Sequence, residues 1–176
     1  MRRLLASLLM FPMAATALAG DGPGGVKGCV CWLNAKGLER GPLAAWPDKS
    51  GSGNDFKQDT SDARPEAVAN EKTGVKAVKF AGGKCMTTGK AAFAEKVGLN
   101  AVPNEKFHLF INAMVFRDGG GTILARADIT GRAFQLYPFA SNQLFINVRG
   151  NINKIPGVTF GQPMLIDVSW DGTNLA

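Results

Sequence analysis

The sequence predicts an all-β protein in which two antiparallel sheets pack face to face as a sandwich. Three observations support this prediction. Apolar residues recur at every second position in several runs, the pattern of a strand with one buried face. Turn sequences rich in Gly, Asn and Asp separate these runs. No sustained helical stripe supplies the crossover helices that a parallel α/β sheet requires.

The chain begins with the layout of a secretory signal peptide, predicted over residues 1–19. A pair of arginines precedes an apolar run, Leu4–Ala15, and an Ala-Leu-Ala triplet at 17–19 then suits a cleavage site. The apolar run is too short to cross a bilayer, and no later stretch reaches about 18 apolar residues. We therefore expect a secreted protein, periplasmic or extracellular, without a membrane span. Residues 20–27 are predicted to be a flexible lead-in and residues 28–176 one folded domain.

Three long runs, FHLFINAMVFR, QLFINVRG and PMLIDVSW, show the alternation most clearly. Shorter strands are predicted at CVCWL, VKAVKF, TILAR and RAFQLY, and a short helical turn around Lys90–Val97. The inward-facing sets are predicted to be Phe107, Leu109, Ile111, Ala113 and Val115 in the first long run, Leu144, Ile146 and Val148 in the second, and Met164, Ile166, Val168 and Trp170 in the third.

The stretch AAWPDKSGSGNDFKQ, residues 44–58, is interpreted as a fixed corner between strands. A phosphate loop is disfavoured because no helix follows SGSGND. A flexible linker is disfavoured because Trp46 is too costly to leave exposed on a tether. In a corner, Trp46 anchors in the core and Pro47 sets the exit of the chain. We expect Asp48, Ser50 and Asn54 to bond nearby backbone amides, and Gly51 and Gly53 to take positive φ.

The charge is modest and evenly spread. The formal net charge is +6, from 20 basic and 14 acidic residues. Without the two arginines of the predicted signal peptide, 18 basic residues face 14 acidic ones, an excess of +4. No run of five or more basic residues occurs, so a solvated surface is favoured over a nucleic-acid or membrane patch.

Three cysteines, Cys29, Cys31 and Cys85, would meet oxidising conditions in an exported protein. Cys29 and Cys31 are two residues apart, so on a strand they point to the same face and cannot easily bond each other. One of them is expected to pair with Cys85, which leaves the third thiol free. A metal site is less favoured because the chain has no CxxC motif and a single histidine.

Four sequence blocks occur in an order that is typical of one family: CWLNAKGL (Cys31–Leu38), AAWPDKSGSGND (Ala44–Asp55), RPEAVAN (Arg64–Asn70) and VKAVKFAGG (Val75–Gly83). Together they resemble the LamG-like jelly rolls of exported bacterial proteins, in the concanavalin A-like lectin/glucanase superfamily. Two later pieces, GGGTILARAD and LIDVSWDGTN, resemble the second half of the same domain. The resemblance implies a concanavalin A-like, two-sheet jelly roll over nearly all of the mature chain.

The sequence departs from the family pattern at three places. Asn34 stands where Asp is usual, GGKCMTT replaces a common acidic pair, and the chain stops at Ala176, just after a Trp-Asp-Gly-Thr element. Because family members continue with further strands, the domain is interpreted as an abbreviated jelly roll lacking its last strands. We expect an exposed sheet edge or groove near the C-terminus, covered by a partner, by oligomerisation or by residues outside this sequence.

No enzymatic activity is expected. Glucanases of this fold carry a Glu-x-Asp-x-x-Glu strand that holds acid and nucleophile about 5 Å apart on one face. This motif is absent, and a single histidine limits acid–base chemistry. The glutamates are scattered over predicted turns and loops: Glu39, Glu66, Glu71, Glu95 and Glu105.

Ligand binding is expected on the polar side of the strands. Planar hydrogen-bonding groups and aromatic rings on one surface suit sugars. The alternative is an ordinary half-solvated outer face, and His108 taken alone is more simply a structural residue. The predicted ligand residues are His108, Asn112, Gln135, Tyr137, Asn147 and Arg149, accompanied by the rings of Phe110 and Phe145.

A calcium site is a further expectation, implied by the resemblance to jelly rolls that carry a rim site of carboxylates and carbonyls. Asp48, Asn54 and Asp55 are the candidate oxygen donors. The competing interpretation, which we favour, is that these residues only cap the turn.

The expected function is therefore that of an exported, non-catalytic recognition module that binds carbohydrate or a protein partner. One alternative is a structural or adhesion subunit that pairs through an exposed sheet edge, which would make it an oligomer. Another is a fragment of a larger secreted enzyme or adhesin. Nucleic acid is not an expected partner.

Overall fold

A computed structural model describes residues 22–69, 74–89, 106–116, 121–125, 134–139, 142–148 and 150–175. Regular structure in these residues is almost entirely β, with two single-turn 3-10 segments, Pro23–Gly25 and Ser61–Ala63. Every strand pairing in these ranges is antiparallel. The predicted all-β class is confirmed, with several antiparallel sheets.

The strands of the described residues are short except for two of eight residues. They are β1 (Gly41–Pro42), β2 (Ala45–Trp46), β3 (Phe56–Lys57), β4 (Glu66–Ala69), β5 (Lys76–Lys79), β6 (Phe107–Met114), β7 (Leu124–Ala125), β8 (Phe134–Phe139), β9 (Gln143–Val148), β10 (Asn151–Ile155) and β11 (Pro163–Trp170).

These strands form four hydrogen-bonded groups. The largest is a four-stranded sheet in the order β10-β9-β8-β7, and a three-stranded sheet has the order β1-β4-β5. β6 pairs with β11, and β2 with β3. The β6–β11 pair is in register over eight residue pairs, from Phe107 opposite Trp170 to Met114 opposite Pro163.

One hydrophobic core is shared by the β6–β11 pair and the four-stranded sheet. Leu136, Leu144 and Ile146 from β8 and β9 are almost completely buried, and they cluster with Ile166 and Val168 of β11. The inward sets predicted for the three long runs all contribute to this cluster. The alternation in the sequence therefore assigned the buried face of each long strand correctly.

Aromatic contact between the two sheets supports the shared core. The rings of Phe107 on β6 and Phe134 on β8 meet edge to face, with centroids 5.6 Å apart and an interplanar angle of 82°. Trp170, at the end of β11, is buried in the same cluster, as its position in the alternating run predicts. Edge-to-face pairs of this kind add about 0.5–1.5 kcal/mol beyond the area that they bury.

The predicted strand CVCWL does not form. The backbone of Trp32 is instead bonded by residues of the predicted corner: Asp48 Oδ1 accepts from Trp32 N at 2.8 Å, and Lys49 N donates to Trp32 O at 2.9 Å. Only Leu33 makes a bridge, to Asp48. Loop partners therefore satisfy this segment in place of a neighbouring strand.

Two sequence predictions fall outside the described residues. The predicted signal peptide lies within residues 1–21, and the helical turn around Lys90–Val97 lies within 90–105. The predicted lead-in is described from Gly22 onwards, and it contains the 3-10 turn Pro23–Gly25. No helix in the described part of the chain is both long enough and apolar enough to cross a membrane.

The predicted disulfide is not formed, because all three cysteines have free thiols. The thiol of Cys29 donates to the backbone carbonyl of Cys31, with sulfur and oxygen 3.4 Å apart. The sulfur of Cys85 instead accepts from Gln58 Nε2 at 3.2 Å, and its backbone N–H donates to Ala63 O. The thiol of Cys29 thus contacts the backbone at Cys31, whereas Cys85 contacts Gln58 and Ala63 in a different part of the chain.

Candidate functional site

The corner loop, residues 46–55, is organised around the carboxylate of Asp48. Its Oδ1 accepts from Trp32 N at 2.8 Å and Ser50 N at 2.9 Å. Its Oδ2 accepts from Ser50 Oγ at 2.8 Å and Asn54 N at 2.9 Å. Partial burial by itself would raise the pKa of Asp48, but these four hydrogen bonds outweigh it and lower the pKa below its ordinary value of 3.8.

The other polar residues of the corner loop complete the same network. Ser50 and Asn54 are buried, and Asn54 Nδ2 donates to Val30 O at 2.7 Å. Asp55 Oδ1 accepts from Asp48 N at 2.9 Å. Gly51 and Gly53 have φ of 81° and 68°, the left-handed region that glycine adopts without steric cost. The loop is therefore the fixed corner that its turn residues predict.

Trp46 has a different role from the predicted core anchor. Its side chain is half-buried and does not belong to the shared core. The indole Nε1 donates to Asn34 O at 3.1 Å. Trp46 therefore ties the corner loop to the preceding segment.

The corner loop does not fit a calcium site. Each oxygen of Asp48 already accepts two hydrogen bonds, and the side-chain nitrogen of Asn54 points a donor at the Val30 carbonyl. Calcium needs six to eight oxygen ligands. Among the described residues, no group of three or more His, Cys, Asp or Glu side chains is arranged to hold a metal. The contacts of Asp48, Asn54 and Asp55 are those of a capped turn.

The predicted ligand residues are divided between two outer faces. His108 and Asn112 lie on β6, on the face opposite its core-packed residues, while Gln135 and Tyr137 lie on the corresponding face of β8. Since the inner faces of both sheets share one core, the two outer faces point in opposite directions. Arg149 lies outside the described residues. One site cannot contain both His108 and Tyr137.

On the outer face of the β6–β11 pair, His108 contacts Asp167, which the sequence did not predict as a site residue. His108 Nε2 lies 2.6 Å from Asp167 Oδ1, and both side chains are about half exposed, at 53% and 55%. The His108 ring also lies against the Phe110 ring, with centroids 4.3 Å apart. The register that sets Asp167 opposite Phe110 brings this carboxylate to His108. The only sequence signal for this contact is the alternation in PMLIDVSW, which places Asp167 on the side opposite to the inward residues Ile166 and Val168.

The opposite surface carries a cluster that we call the aromatic face, formed by Gln135, Tyr137 and Phe139 of β8 and Phe145 of β9. The Tyr137 and Phe145 rings are stacked, with centroids 6.0 Å apart and an interplanar angle of 21°. Phe139 meets Phe145 edge to face at 5.3 Å. Gln135 Nε2 donates to Thr122 Oγ1 at 2.8 Å, which orients its amide beside Tyr137.

Asn147 is not available on this surface. Its side chain is buried, with 3% exposure, although it alternates with the core residues of β9. Its Oδ1 accepts from Gly150 N at 2.8 Å, which fastens the turn between β9 and β10. Asn147 therefore has a structural contact in place of the predicted ligand contact.

A C-terminal turn follows β11. Asp171 Oδ1 accepts from Asn174 N at 2.6 Å and from Thr173 N at 2.7 Å, and these bonds lower the pKa of the Asp171 carboxyl. The turn returns the chain so that Leu175 makes an antiparallel bridge with Trp170. Trp170 also pairs with Phe107 of β6, so Leu175 lies on the other edge of β11.

The chain matches no known family model, no curated protein and no solved structure among those with which it was compared. Its resemblance to LamG-like jelly rolls accordingly stays a prediction from the sequence blocks.

Proposed function

We propose that the protein is an exported, non-catalytic recognition module with a LamG-like, concanavalin A-like jelly-roll fold, which binds carbohydrate through the aromatic face. The observation that supports this most directly is the stacked Tyr137–Phe145 ring pair, flanked by the exposed ring of Phe139 and the oriented amide of Gln135.

The chemistry of the aromatic face suits a sugar ring. The C–H face of a pyranose packs on an aromatic ring, while its hydroxyls need donors and acceptors at the rim. Phe139 is 58% exposed, so its ring is open to such a ligand. Tyr137 adds a phenolic hydroxyl, which both donates and accepts, and Gln135 adds an amide oxygen.

A glycan array followed by titration of the hits tests this proposal. The test variants are Phe139→Ala and Tyr137→Ala, and the control is Phe110→Ala, because Phe110 is also 58% exposed but lies on the opposite outer face. Loss of one ring of the aromatic face should weaken glycan binding about 10-fold, whereas the control should change it by less than about 2-fold. Binding of no glycan, or equal weakening by Phe110→Ala, would contradict the proposal.

A second candidate function is a structural subunit that pairs through a sheet edge. The free edge of β11 supports it, because in the described part of the chain only Leu175 pairs there, opposite Trp170. From Pro163 to Ser169 that edge has no strand partner among the described residues. Such an edge is a template for another strand, and Leu175 sets an antiparallel direction for it.

Size-exclusion chromatography with light scattering tests the second candidate. The variant Leu165→Lys places a charge beside the edge at a side chain that is already exposed, so the fold should be retained. Edge pairing would be favoured over carbohydrate binding if the parent protein is a stable oligomer that binds no glycan and the Leu165→Lys variant is a monomer. A monomer over the accessible concentration range would exclude this candidate.

A further inference from the structure

A pocket lies between the edge strand β10 and the C-terminal turn, away from the aromatic face. We call it the edge pocket. Its volume is about 350 Å³. Its polar walls are formed by Asn151 and Asn153 of β10 and by Thr173 and Asn174 of the turn. Ile152, Trp170 and Leu175 supply its apolar part.

The residue pattern of β10 is inverted relative to the rest of its sheet. Asn151 and Asn153 are in register with Val148 and Ile146 of β9, so their side chains lie on the face that points towards the core. Ile152, between them, is in register with Asn147 and lies on the outer side, where it is exposed. A strand that turns two asparagines inward and an isoleucine outward is costly unless the inward side is wet or occupied by a polar ligand.

The polar groups of the edge pocket are available to a ligand. Among the described residues, no hydrogen bond is made to the side-chain amides of Asn151 and Asn153, and both residues are exposed. Asn174 Nδ2 donates to Asp171 Oδ2 at 3.2 Å, which leaves the amide oxygen as an acceptor. The two asparagines of β10 each provide an acceptor oxygen and two N–H donors, the complement of a hydroxyl-rich ligand.

The lining is also uncharged. Its residues are asparagine, isoleucine, tryptophan, threonine and leucine, none of which titrates in the physiological range. A charged ligand would therefore meet no side chain of opposite charge in this lining, whereas a neutral ligand needs none. The volume is at the small end of the range for ligand sites, enough for one ring and not for a chain.

The wall formed by the turn is held in place before any ligand arrives. The Asp171 carboxylate accepts from Thr173 N and Asn174 N, and Leu175 is bridged to Trp170. A site whose walls are already ordered loses less entropy on binding.

We infer that the edge pocket is a second binding site, which takes a single neutral sugar ring or a polyol of similar size. Asn151 and Asn153 on one side and Asn174 on the other bond the hydroxyls, and Leu175 with the edge of Trp170 contacts the C–H face. This site does not depend on carbohydrate binding at the aromatic face.

The test is a titration of the folded protein with D-glucose, D-galactose, D-mannose and N-acetylglucosamine, followed by NMR of the asparagine side-chain amides. With at least one sugar, saturable shifts are expected at Asn151, Asn153 and Asn174. Asn153→Ala should weaken that sugar about 5- to 10-fold, the loss of one or two hydrogen bonds. Asn112→Ala, an exposed asparagine on the β6–β11 outer face, should leave the affinity unchanged.

Two outcomes would overturn the inference. One is the absence of saturable shifts with all four sugars up to about 50 mM, a concentration that would occupy about nine-tenths of a site with a Kd of about 5 mM. The other is equal weakening by Asn153→Ala and Asn112→Ala in proteins whose thermal melts match the parent. Phe139→Ala separates the two sites, since it should weaken binding at the aromatic face about 10-fold while leaving the shifts at Asn153 intact.

Discussion

At the scale of single residues, Asp48 contributes more to the structure than any turn propensity indicates. It joins Trp32, Ser50 and Asn54, which lie up to 22 positions apart in sequence numbering, through one carboxylate. The sequence predicted that Asp48 would bond backbone amides of the corner, because Asp before Gly-rich segments does so. It did not predict Trp32 as a partner, because that contact depends on how two separate segments come together.

Removal of the Asp48 carboxylate should destabilise the protein. Asp48→Ala leaves three backbone N–H groups and the Ser50 hydroxyl without their acceptor, so the free energy of unfolding should fall by about 2–4 kcal/mol. Urea denaturation measures this change in the free energy of unfolding. Asp59→Ala is the matched control, since Asp59 is exposed, and it should change stability by less than about 0.5 kcal/mol. Equal effects of the two variants would disprove the role of Asp48.

The acid stability of the protein should depend on the same carboxylate. The pKa of Asp48 is lowered in the folded state, so its contribution to stability is fully present above its ordinary value of 3.8 and is lost as the pH falls through the folded pKa. Urea midpoints should therefore decline as the pH drops below about 4. In Asp48→Asn this decline should be shallower, because the titrating group is gone. An unchanged slope would assign the acid sensitivity to other carboxylates, such as Asp171.

The cysteines should react at different rates in the folded protein. Burial, with smaller contributions from Asp48 and Cys29, raises the pKa of the Cys31 thiol to about 12. The thiolate fraction of Cys31 at pH 8 is then about a thousandfold below that of an ordinary cysteine. Iodoacetamide labelling followed by mass spectrometry should modify exposed Cys85 first and Cys31 much later. Recovery of a disulfide-linked Cys85 peptide without reductant would contradict the free thiols.

At the scale of elements, period-two alternation predicted the long strands well and the short ones poorly. β6, β9 and β11 carry strict alternation over six to eight residues, so the buried face follows directly from the pattern. The strands β1–β3 have two residues each, too few for any period. β10 was missed because NINKI places its apolar residues on the outer side or at the strand end, opposite to an amphipathic strand.

The effect of shortening a strand side chain on stability should depend on whether that side chain lies on the buried or the exposed face. Leu136 on β8 is 0% exposed within the shared core, whereas Leu165 on β11 is 69% exposed. Leu136→Ala should lower the free energy of unfolding by about 2–5 kcal/mol, while Leu165→Ala should change it by less than about 0.5 kcal/mol. Thermal or chemical denaturation measures both. A similar loss from the two variants would mean that the buried face of β8 or of β11 is assigned wrongly.

At the scale of the whole molecule, packing of the β6–β11 pair on the four-stranded sheet separates the surfaces. Residues that all lie on polar sides of strands in the sequence end up facing opposite directions, such as His108 and Tyr137. The candidate site was therefore predicted only in part. Gln135 and Tyr137 lie together on the aromatic face, but His108 lies on the other outer face, because the sheet order decides which strands share a face. The sequence predicted an exposed edge or groove near the C-terminus but not the lining of the edge pocket, because Asn153 and Asn174 are brought together only by packing.

The sequence by itself determined the all-β class, the buried face of each long strand and the polar corner around Asp48. These properties follow from local periodicity and turn chemistry, which act over a few neighbouring residues. Tertiary structure alone decided the pairing of His108 with Asp167, the stacking of Tyr137 on Phe145 and the free state of the three thiols. Each of these depends on strand register or on contact between segments distant in the chain, where local pattern carries no information.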